Sequence, residues 1–236
     1  MNLPPALLAS LVAALLVSIP VSCETSREKT AASQSIQFVV PPRQSASQPV
    51  SQLRREINLE VDLLPRDRKG RRTWKKMRPR YITIHSTQND KPGADARRHA
   101  LALQRGKLRS GRGSGYLTWH FTVDDKRTVQ HLPTTEQGEH ADLDGPGNRT
   151  SIGIEICENE DGNLSQAIDR AAKLAAVMMK AHKIPLSRVV PHYHWPRPRY
   201  GRPWHKPCPL PLLDNGRPGR KWQAFKRKVN SYYRHL

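Results

Sequence analysis

Apolar and polar residues alternate along three short stretches of the chain, and this period-two pattern is typical of half-buried β-strands. Arg80–Ser86 reads RYITIHS, Tyr116–Val123 reads YLTWHFTV and Ser151–Cys157 reads SIGIEIC. The turn sequence DDKR separates the second stretch from Thr128–Leu132, so these two segments predict a β-hairpin. Gly145–Thr150, which reads GPGNRT, predicts the turn before the third strand.

Three other stretches have the composition of helices. The first is Ala94–Lys107, and the longest is Ser165–Lys183, which is apolar over a wide arc. Ser165 is the predicted N-cap of this long helix and Pro185 its predicted stop. Arg220–Tyr233 predicts a last helix with one apolar and aromatic face. Because the predicted strands and helices interleave, we expect an α/β fold, a single mixed-sheet domain flanked by helices.

The N-terminus carries a targeting pattern. Leu3–Val21 is apolar and uncharged and ends in small residues just before Cys23, so residues 1–23 are interpreted as a secretory signal peptide. The sequence IPVSC resembles a bacterial lipoprotein processing site, in which Cys23 would be lipidated and anchor the protein to a membrane. We expect an exported protein, either a periplasmic or outer-membrane lipoprotein or a secreted one; a transmembrane anchor is the alternative.

Two composition changes follow the signal. Residues 24–52 are rich in Ser, Gln and Pro and predict a flexible tether. Residues 53–236 are predicted to form the folded domain. Its first part, Leu53–Arg80, is dense in Arg and Lys and predicts a solvated basic lead-in.

The charge balance indicates the class of partner. The 236 residues include 40 Lys and Arg against 20 Asp and Glu, a formal net charge of +20. Such an excess favours a polyanion: nucleic acid, an anionic membrane surface or an anionic cell-wall polymer. Cys23, Cys157 and Cys208 are the only cysteines, too few for a disulfide framework, although a single Cys157–Cys208 disulfide is an alternative in an oxidising compartment.

A segment rich in histidine and proline, Val189–Pro209, contains potential metal ligands. It reads VVPHYHWPRPRYGRPWHKPCP and includes His192 and Cys208, and His85 ends the first predicted strand. Zinc prefers imidazole and thiolate, and a catalytic zinc site uses three protein ligands. Each residue also has a structural interpretation, since a lone histidine at a strand end is more often a hydrogen-bonded structural residue.

Taken together, six motifs resemble a known family. IHST, WHFTVDD, GEHAD, NRTSIGIEICEN, VVPHYHW and HKPCP follow one another between Tyr81 and Pro209. In this order they resemble the zinc-dependent N-acetylmuramoyl-L-alanine amidases, the group that includes phage endolysins and is related to peptidoglycan-recognition proteins. The resemblance implies an amidase-like fold and identifies residues 53–236 as a zinc amidase catalytic domain.

The resemblance also implies roles for individual residues. His85 of IHST, His192 of HYHW and Cys208 of KPCP would be the ligands of one zinc ion. Glu155 of IGIEIC would be the catalytic acid and base, and Lys206 would assist the transition state. The reaction would be hydrolysis of the amide bond between N-acetylmuramic acid and the L-alanine of the stem peptide.

Three further residues are predicted to bind substrate. His140 of EHAD matches a family histidine near the substrate cleft, His120 either lines the site or fills the core, and Trp119 stands where some relatives have a tyrosine. Glu158 is the weaker catalytic candidate, because alternation along the strand points it away from Glu155.

The expected partners follow from the same resemblance. They are peptidoglycan or muropeptides, with anionic wall polymers bound through the basic surface that includes the insertion Arg197–Trp204; we expect a monomer. The rivals are a non-catalytic peptidoglycan-binding module on the same fold and a secreted nucleic-acid-binding protein. The latter rests on charge alone, because no recognised nucleic-acid motif is present, so we expect no nucleic-acid partner.

Overall fold

A computed structural model describes residues 50–66, 71, 75–109 and 116–236. The predicted signal peptide, Cys23 with its predicted lipid, and nearly all of the predicted tether lie outside these residues. Within the described ranges, none of the helices has both the length and the apolar character needed to span a membrane.

The domain is built on a mixed sheet of six strands in the order β1-β4-β3-β5-β2-β6. Strands β2, β3, β5 and β6 run parallel to one another, β4 is antiparallel to β3, and β1 is parallel to β4. The strands are β1 (Leu59–Val61), β2 (Tyr81–Ser86), β3 (Phe121–Val123), β4 (Thr128–Gln130), β5 (Ser151–Ile156) and β6 (Val189–Pro191). The predicted α/β class, the first and third predicted strands and the β3–β4 hairpin are therefore confirmed, but only the last three residues of the predicted strand Tyr116–Val123 form β3.

Alternation along β2 and β5 divides the sheet into two faces. Ile82, Ile84, Ile152 and Ile154 point to one face and are fully buried in the main core with α4 and α5. The alternate residues of these two strands, which include His85, point to the other face. One face therefore stabilises the fold, and the opposite face is left for polar side chains.

Five α-helices of the described residues accompany the sheet. They are α1 (Val50–Ile57), α2 (Ala96–Gln104), α3 (Pro146–Thr150), α4 (Leu164–His182) and α5 (Arg220–Tyr233). The prediction of α5 is confirmed to the residue, but the predicted cap of α4 is wrong. Asn163, not Ser165, caps the helix, because its side chain accepts the Gln166 N–H at 3.1 Å. Gly145–Thr150, predicted as a turn, contains the short helix α3.

The described part of Leu53–Arg80 is not wholly the solvated lead-in that its basic composition predicted. Leu53 and Ile57 stand four residues apart in α1 and are buried, and Leu64 is fully buried in a second, smaller apolar cluster. An i, i+4 apolar pair places both side chains on one helix face. Arg54 and Arg55, which lie between Leu53 and Ile57, obscured the pattern.

The segment between β6 and α5 returns to the polar face of the sheet. A short 3₁₀ turn, His192–His194, follows β6, and a separate antiparallel hairpin is formed by β7 (Arg197–Arg199) and β8 (Arg202–Trp204). The two ends of this segment meet, because the N–H of Tyr193, before the hairpin, donates to the carbonyl of Cys208, after it, at 3.0 Å. This segment therefore brings the potential ligands at its two ends together.

Candidate metal centre

The site forms where three parallel strands end. His85 is the fifth residue of β2 and lies in register with Glu155 of β5, and His192 directly follows β6. The returning chain places Cys208 beside the end of β2, where its Sγ accepts the Ser86 N–H at 3.4 Å. The C-terminal edge of parallel strands is the usual place for a ligand site in such sheets.

The three sequence-predicted metal ligands meet at this edge. One donor atom from each of His85, His192 and Cys208 lies within 4.8 Å of the others, and all three residues are buried. The two Nδ1 atoms of the histidines are 2.9 Å apart. Within the described ranges this is the one group of three or more such residues whose donor atoms converge.

Burial sets the charge of these three side chains when no metal ion is bound. It lowers the pKa of His192 to about 3 and the pKa of His85 well below its usual value, with nearby histidines and Lys206 adding to the effect. Burial also raises the pKa of the Cys208 thiol to about 12. The histidines are therefore neutral, as metal ligands must be, and a cation at the site would favour the thiolate.

The donor set fits zinc. Two imidazole nitrogens and one sulfur are ligands that zinc prefers, and three protein ligands leave a fourth position for water or substrate. The Nε2 of His192 lies 2.9 Å from the carbonyl of Ala141, which can only accept a hydrogen bond. Nη2 of Arg197 also approaches this Nε2, at 3.5 Å, but the carbonyl contact is the shorter one and assigns the proton of the neutral ring to Nε2, so the Nδ1 lone pair faces His85.

A carboxylate stands beside this cluster. Oε1 of Glu155 is 3.8 Å from Nδ1 of His85, and its Oε2 is buried without a hydrogen-bond partner among the described residues. Burial raises the pKa of Glu155 to about 7, opposed by the charge of Lys206 and reinforced by Glu158. A bound cation would lower this pKa again.

Glu158 and Lys206 border the same region. Glu158 lies past the end of β5, where its Oε2 accepts the Gln88 N–H at 2.6 Å and burial raises its pKa. Lys206 is half-buried, and its charge lowers the pKa of both Glu155 and His192. Glu155 is thus the carboxylate with an oxygen that has no hydrogen-bond partner among the described residues, and Lys206 is a cation close to it.

The structure does not place the three predicted substrate-binding residues on an accessible surface. His140 is 5 % exposed and His120 is fully buried. The His120 ring is held by the Glu136 carbonyl and by the Gly153 N–H. Trp119 lies in the second apolar cluster. Their burial gives no support to a substrate-binding role, which stays a prediction, and a strand pattern does not reveal burial of this kind.

Two other histidines of the Val189–Pro209 segment lie outside the converging group. His194 is exposed, and its ring contacts the rings of Tyr81 and Trp195. His205 is half-buried; its Nδ1 lies 2.6 Å from the Tyr193 carbonyl, and its ring stacks on that tyrosine.

Two participants were missed by the sequence interpretation. The Ala141 carbonyl contacts His192, and a backbone group leaves no trace in residue identity. Asn148 is 1 % exposed, and its Oδ1 accepts the N–H groups of both His140 and Ala141, at 2.9 and 2.7 Å. The only signal available in the sequence was that Asn148, a polar residue, lies between two glycines and a predicted strand.

Comparison with known proteins adds to this picture. The family model described as N-acetylmuramoyl-L-alanine amidase matches residues 75–211. The N-acetylmuramoyl-L-alanine amidase CwlH of Bacillus subtilis (strain 168) is 40% identical over 177 residues, which are 74% of this chain and 62% of the relative. The amidase XlyA of the same organism is 42% identical over 73% of this chain and 51% of its own length. The chain thus spans less than two thirds of either relative.

Solved structures agree with the architecture. A mutant endolysin from Bacillus subtilis superimposes with a TM-score of 0.60 and 42% identity, covering 73% of this chain and 99% of that chain. The catalytic domain of XlyA gives a TM-score of 0.60 with 41% identity over the same shares. Because the family model covers more than half of the sequence and these catalytic domains are matched nearly from end to end, this chain belongs to the N-acetylmuramoyl-L-alanine amidase family.

Proposed function

We propose that this protein hydrolyses the amide bond between N-acetylmuramic acid and the first L-alanine of the peptidoglycan stem peptide, with a zinc ion held by His85, His192 and Cys208. Family membership supports the reaction class. The observation that carries the proposal is the pairing of a buried His, His, Cys cluster with Glu155, which has one oxygen 3.8 Å from His85 and the other unpartnered within the described chain.

The roles divide between the ion and the side chains. Zinc supplies Lewis acidity, which polarises a carbonyl and lowers the pKa of water. Glu155 accepts the proton of the water that attacks the amide carbon, and it returns that proton to the amine nitrogen as the C–N bond breaks. Lys206 faces the oxyanion that develops on the carbonyl, a contribution worth roughly 3–4 kcal/mol per donor in other enzymes.

The test is digestion of purified peptidoglycan followed by mass spectrometry. We expect stem peptides with a free L-alanine amino terminus and glycan chains that keep their lactyl groups, and we expect a chelator to stop their release. Release of disaccharides or of D-alanine would contradict the amidase reaction. Wall binding with no product would favour the rival interpretation, a non-catalytic binding module.

The β7–β8 hairpin supports a further proposal about the partner. Tyr200 at its tip is 91% exposed and Arg202 is exposed beside it, while Arg197 at its base donates from Nε to the Ala141 carbonyl at 2.5 Å. The hairpin therefore presents a basic and aromatic surface anchored at the metal centre, and we expect it to bind anionic wall polymer.

This proposal predicts weaker attachment when the exposed part of the hairpin is altered. The double change Tyr200→Ser with Arg202→Gln should reduce sedimentation with purified walls at low salt and bring it closer to the value at high salt. Hydrolysis of a small muropeptide should be unchanged. Equal sedimentation of the two proteins at every salt concentration would refute a role for the hairpin in wall binding.

A further inference from the structure

One short segment lies behind both candidate histidine ligands. The ring of His140 approaches His85, with 3.0 Å between Nδ1 of the former and Nε2 of the latter. The next residue, Ala141, turns its carbonyl to Nε2 of His192 at 2.9 Å. Two consecutive residues thus contact the far nitrogens of both rings.

Hydrogen-bond donors and acceptors fix the tautomers along this chain of contacts. Nε2 of His140 lies 3.3 Å from the carbonyl of Ser151, which can only accept, so Nε2 carries the proton of the neutral ring. Nδ1 of His140 is then an acceptor and takes the proton on Nε2 of His85. His85 is left with a lone pair on Nδ1, the atom that faces His192 at 2.9 Å.

The same logic applied to His192 produces two lone pairs that point at each other. Its Nε2 lies 2.9 Å from the Ala141 carbonyl and 3.5 Å from Nη2 of Arg197, and the shorter contact places the proton on Nε2, which leaves Nδ1 unprotonated as well. Two nitrogen lone pairs at this distance repel unless a cation lies between or beside them. The arrangement is therefore prepared for a metal ion by groups that do not themselves touch it.

The segment is held firmly enough to act in this way. Asn148 fixes the backbone of His140 and Ala141 through a single side-chain oxygen. Asp142 accepts the N–H groups of Gly147 and Asn148, at 2.7 and 2.9 Å. The His140 ring packs on Gly153, where an added Cβ would stand 2.9 Å from three ring atoms.

We propose that His140 is a positioning residue of the metal centre: its Ser151-bound ring sets His85 in the Nε2–H tautomer and so directs the Nδ1 lone pair to the metal. The inference rests on the proposed function for the identity of the ion. It replaces the expectation that His140 binds substrate. Partners of this kind orient metal ligands in many proteins, and their loss weakens metal binding about 10- to 100-fold.

An isosteric pair of variants tests the proposal. Asn places an acceptor where His140 has Nδ1, whereas Leu has the same branched shape without one. We expect His140→Leu to weaken zinc affinity, measured by competition with a chromophoric chelator, about 10- to 100-fold. His140→Asn should lie closer to the wild type. Equal affinities for the wild type and the Leu variant would overturn the proposal, as would equal losses in both variants.

Nitrogen NMR of the metal-free protein supplies a readout independent of activity. The two-bond proton–nitrogen correlations should identify His85 as the Nε2–H tautomer in the wild type and as a mixture in His140→Leu. A wild-type Nδ1–H tautomer of His85 would overturn the inference.

A control variant and an activity comparison complete the test. His131→Asn removes another fully buried histidine and should leave zinc affinity unchanged. A matching loss in this variant would contradict the proposal, because it would indicate a general effect of disturbing the fold. Wild-type protein that binds zinc but leaves peptidoglycan uncut would reject the proposed function and leave the positioning role intact.

Discussion

The polar face of the sheet carries two buried groups of histidine and cysteine, and only one of them resembles a metal site. The metal-side cluster consists of His85, His192 and Cys208. The α2-side cluster consists of His99 and Cys157, together with His131, whose ring contacts the Trp119 ring that also contacts His99; all three are buried. Residue types and burial therefore do not distinguish the two groups.

The direction of the ring nitrogens distinguishes them. In the α2-side cluster, Nδ1 of His99 is the ring atom nearest to the Cys157 sulfur, at 3.9 Å, but it also lies 2.8 Å from the carbonyl of Asp95. It must donate to that carbonyl, so it carries a proton and offers no lone pair. In the metal-side cluster the far nitrogen of His192 contacts a backbone carbonyl and that of His85 contacts the His140 ring, so the lone pair of each ligand ring points inward.

The neighbouring carboxylates differ in the same way. Asp124, on the α2 side, accepts the backbone N–H groups of Ala96, Lys126 and Arg127. Glu155 keeps one buried oxygen without a partner among the described residues. A carboxylate saturated by backbone donors caps a turn, whereas one with an unused lone pair can accept a proton.

Exchanging the cysteine sulfur for oxygen in each cluster should reveal the largest difference between the two clusters. Cys208→Ser removes one of three protein ligands. Structural zinc sites gain about 10–16 kcal/mol from four ligands, or roughly 2.5–4 kcal/mol from each, so we expect zinc affinity to fall about 100- to 1000-fold and hydrolysis to fall to background. Cys157→Ser should change neither. Isothermal titration with zinc and wall digestion measure both effects, and retained zinc affinity in Cys208→Ser would refute the ligand assignment.

Removing the spare carboxylate oxygen should separate catalysis from metal binding. Glu155→Gln keeps the shape of the side chain but cannot accept the proton, so we expect turnover to fall about 10²- to 10⁴-fold with zinc affinity nearly unchanged. Glu158→Gln is the matched control, and its effect should be much smaller because that carboxylate already accepts the Gln88 N–H. Equal losses in the two variants would contradict the assignment of Glu155.

Periodicity predicted the part of the fold that is governed by local pattern. β2 and β5 alternate cleanly, and α5 has a continuous apolar face, so their bounds were close or identical to those observed. Helix α1 was missed because three of its eight residues are charged and, among its described side chains, only Leu53 and Ile57 reach the core. Burial of so few residues depends on α4, which is more than 100 positions away in the sequence.

The sequence predicted the residue types of the site, but not the residues that hold the ligands in position. His85, His192 and Cys208 were identified through motif resemblance, and the structure brings them together. The role of His140 depends on which ring nitrogen meets which partner. That choice is made by the carbonyl of Ser151 and by the packing of Gly153, and neither has a sequence signature.

A methyl group added beneath the His140 ring should weaken the metal-side cluster moderately. In Gly153→Ala the new Cβ would stand 2.9 Å from three ring atoms, so the ring must move away from His85. We expect a roughly tenfold loss of zinc affinity and a loss of about 1–3 kcal/mol in unfolding free energy from overpacking. Chelator competition on protein verified as folded by circular dichroism measures the first effect, and unchanged affinity would mean that the ring position is immaterial.

The last expected effect concerns the α2-side cluster and the acid stability of the fold, and it is absent at neutral pH. Burial lowers the pKa of His131 to about 3, whereas an unfolded histidine titrates near 6.5. Between these values the unfolded chain binds a proton that the folded chain excludes, so stability falls as the pH falls from about 6.5 towards 3, and His131 contributes nothing to this slope above that window.

Removing His131 should therefore make the pH dependence shallower. We expect His131→Gln and His131→Asn to lower the slope of unfolding free energy by up to one proton, about 1.4 kcal/mol per pH unit, between pH 6 and 4. Urea titrations at several pH values, with chelator present so that metal release does not contribute, measure this slope. The two variants should agree with each other even if their stabilities at pH 7 differ. A slope identical to that of the wild type would mean that His131 takes up its proton in the folded protein, and the α2-side cluster would then be open to water, unlike the buried group described above.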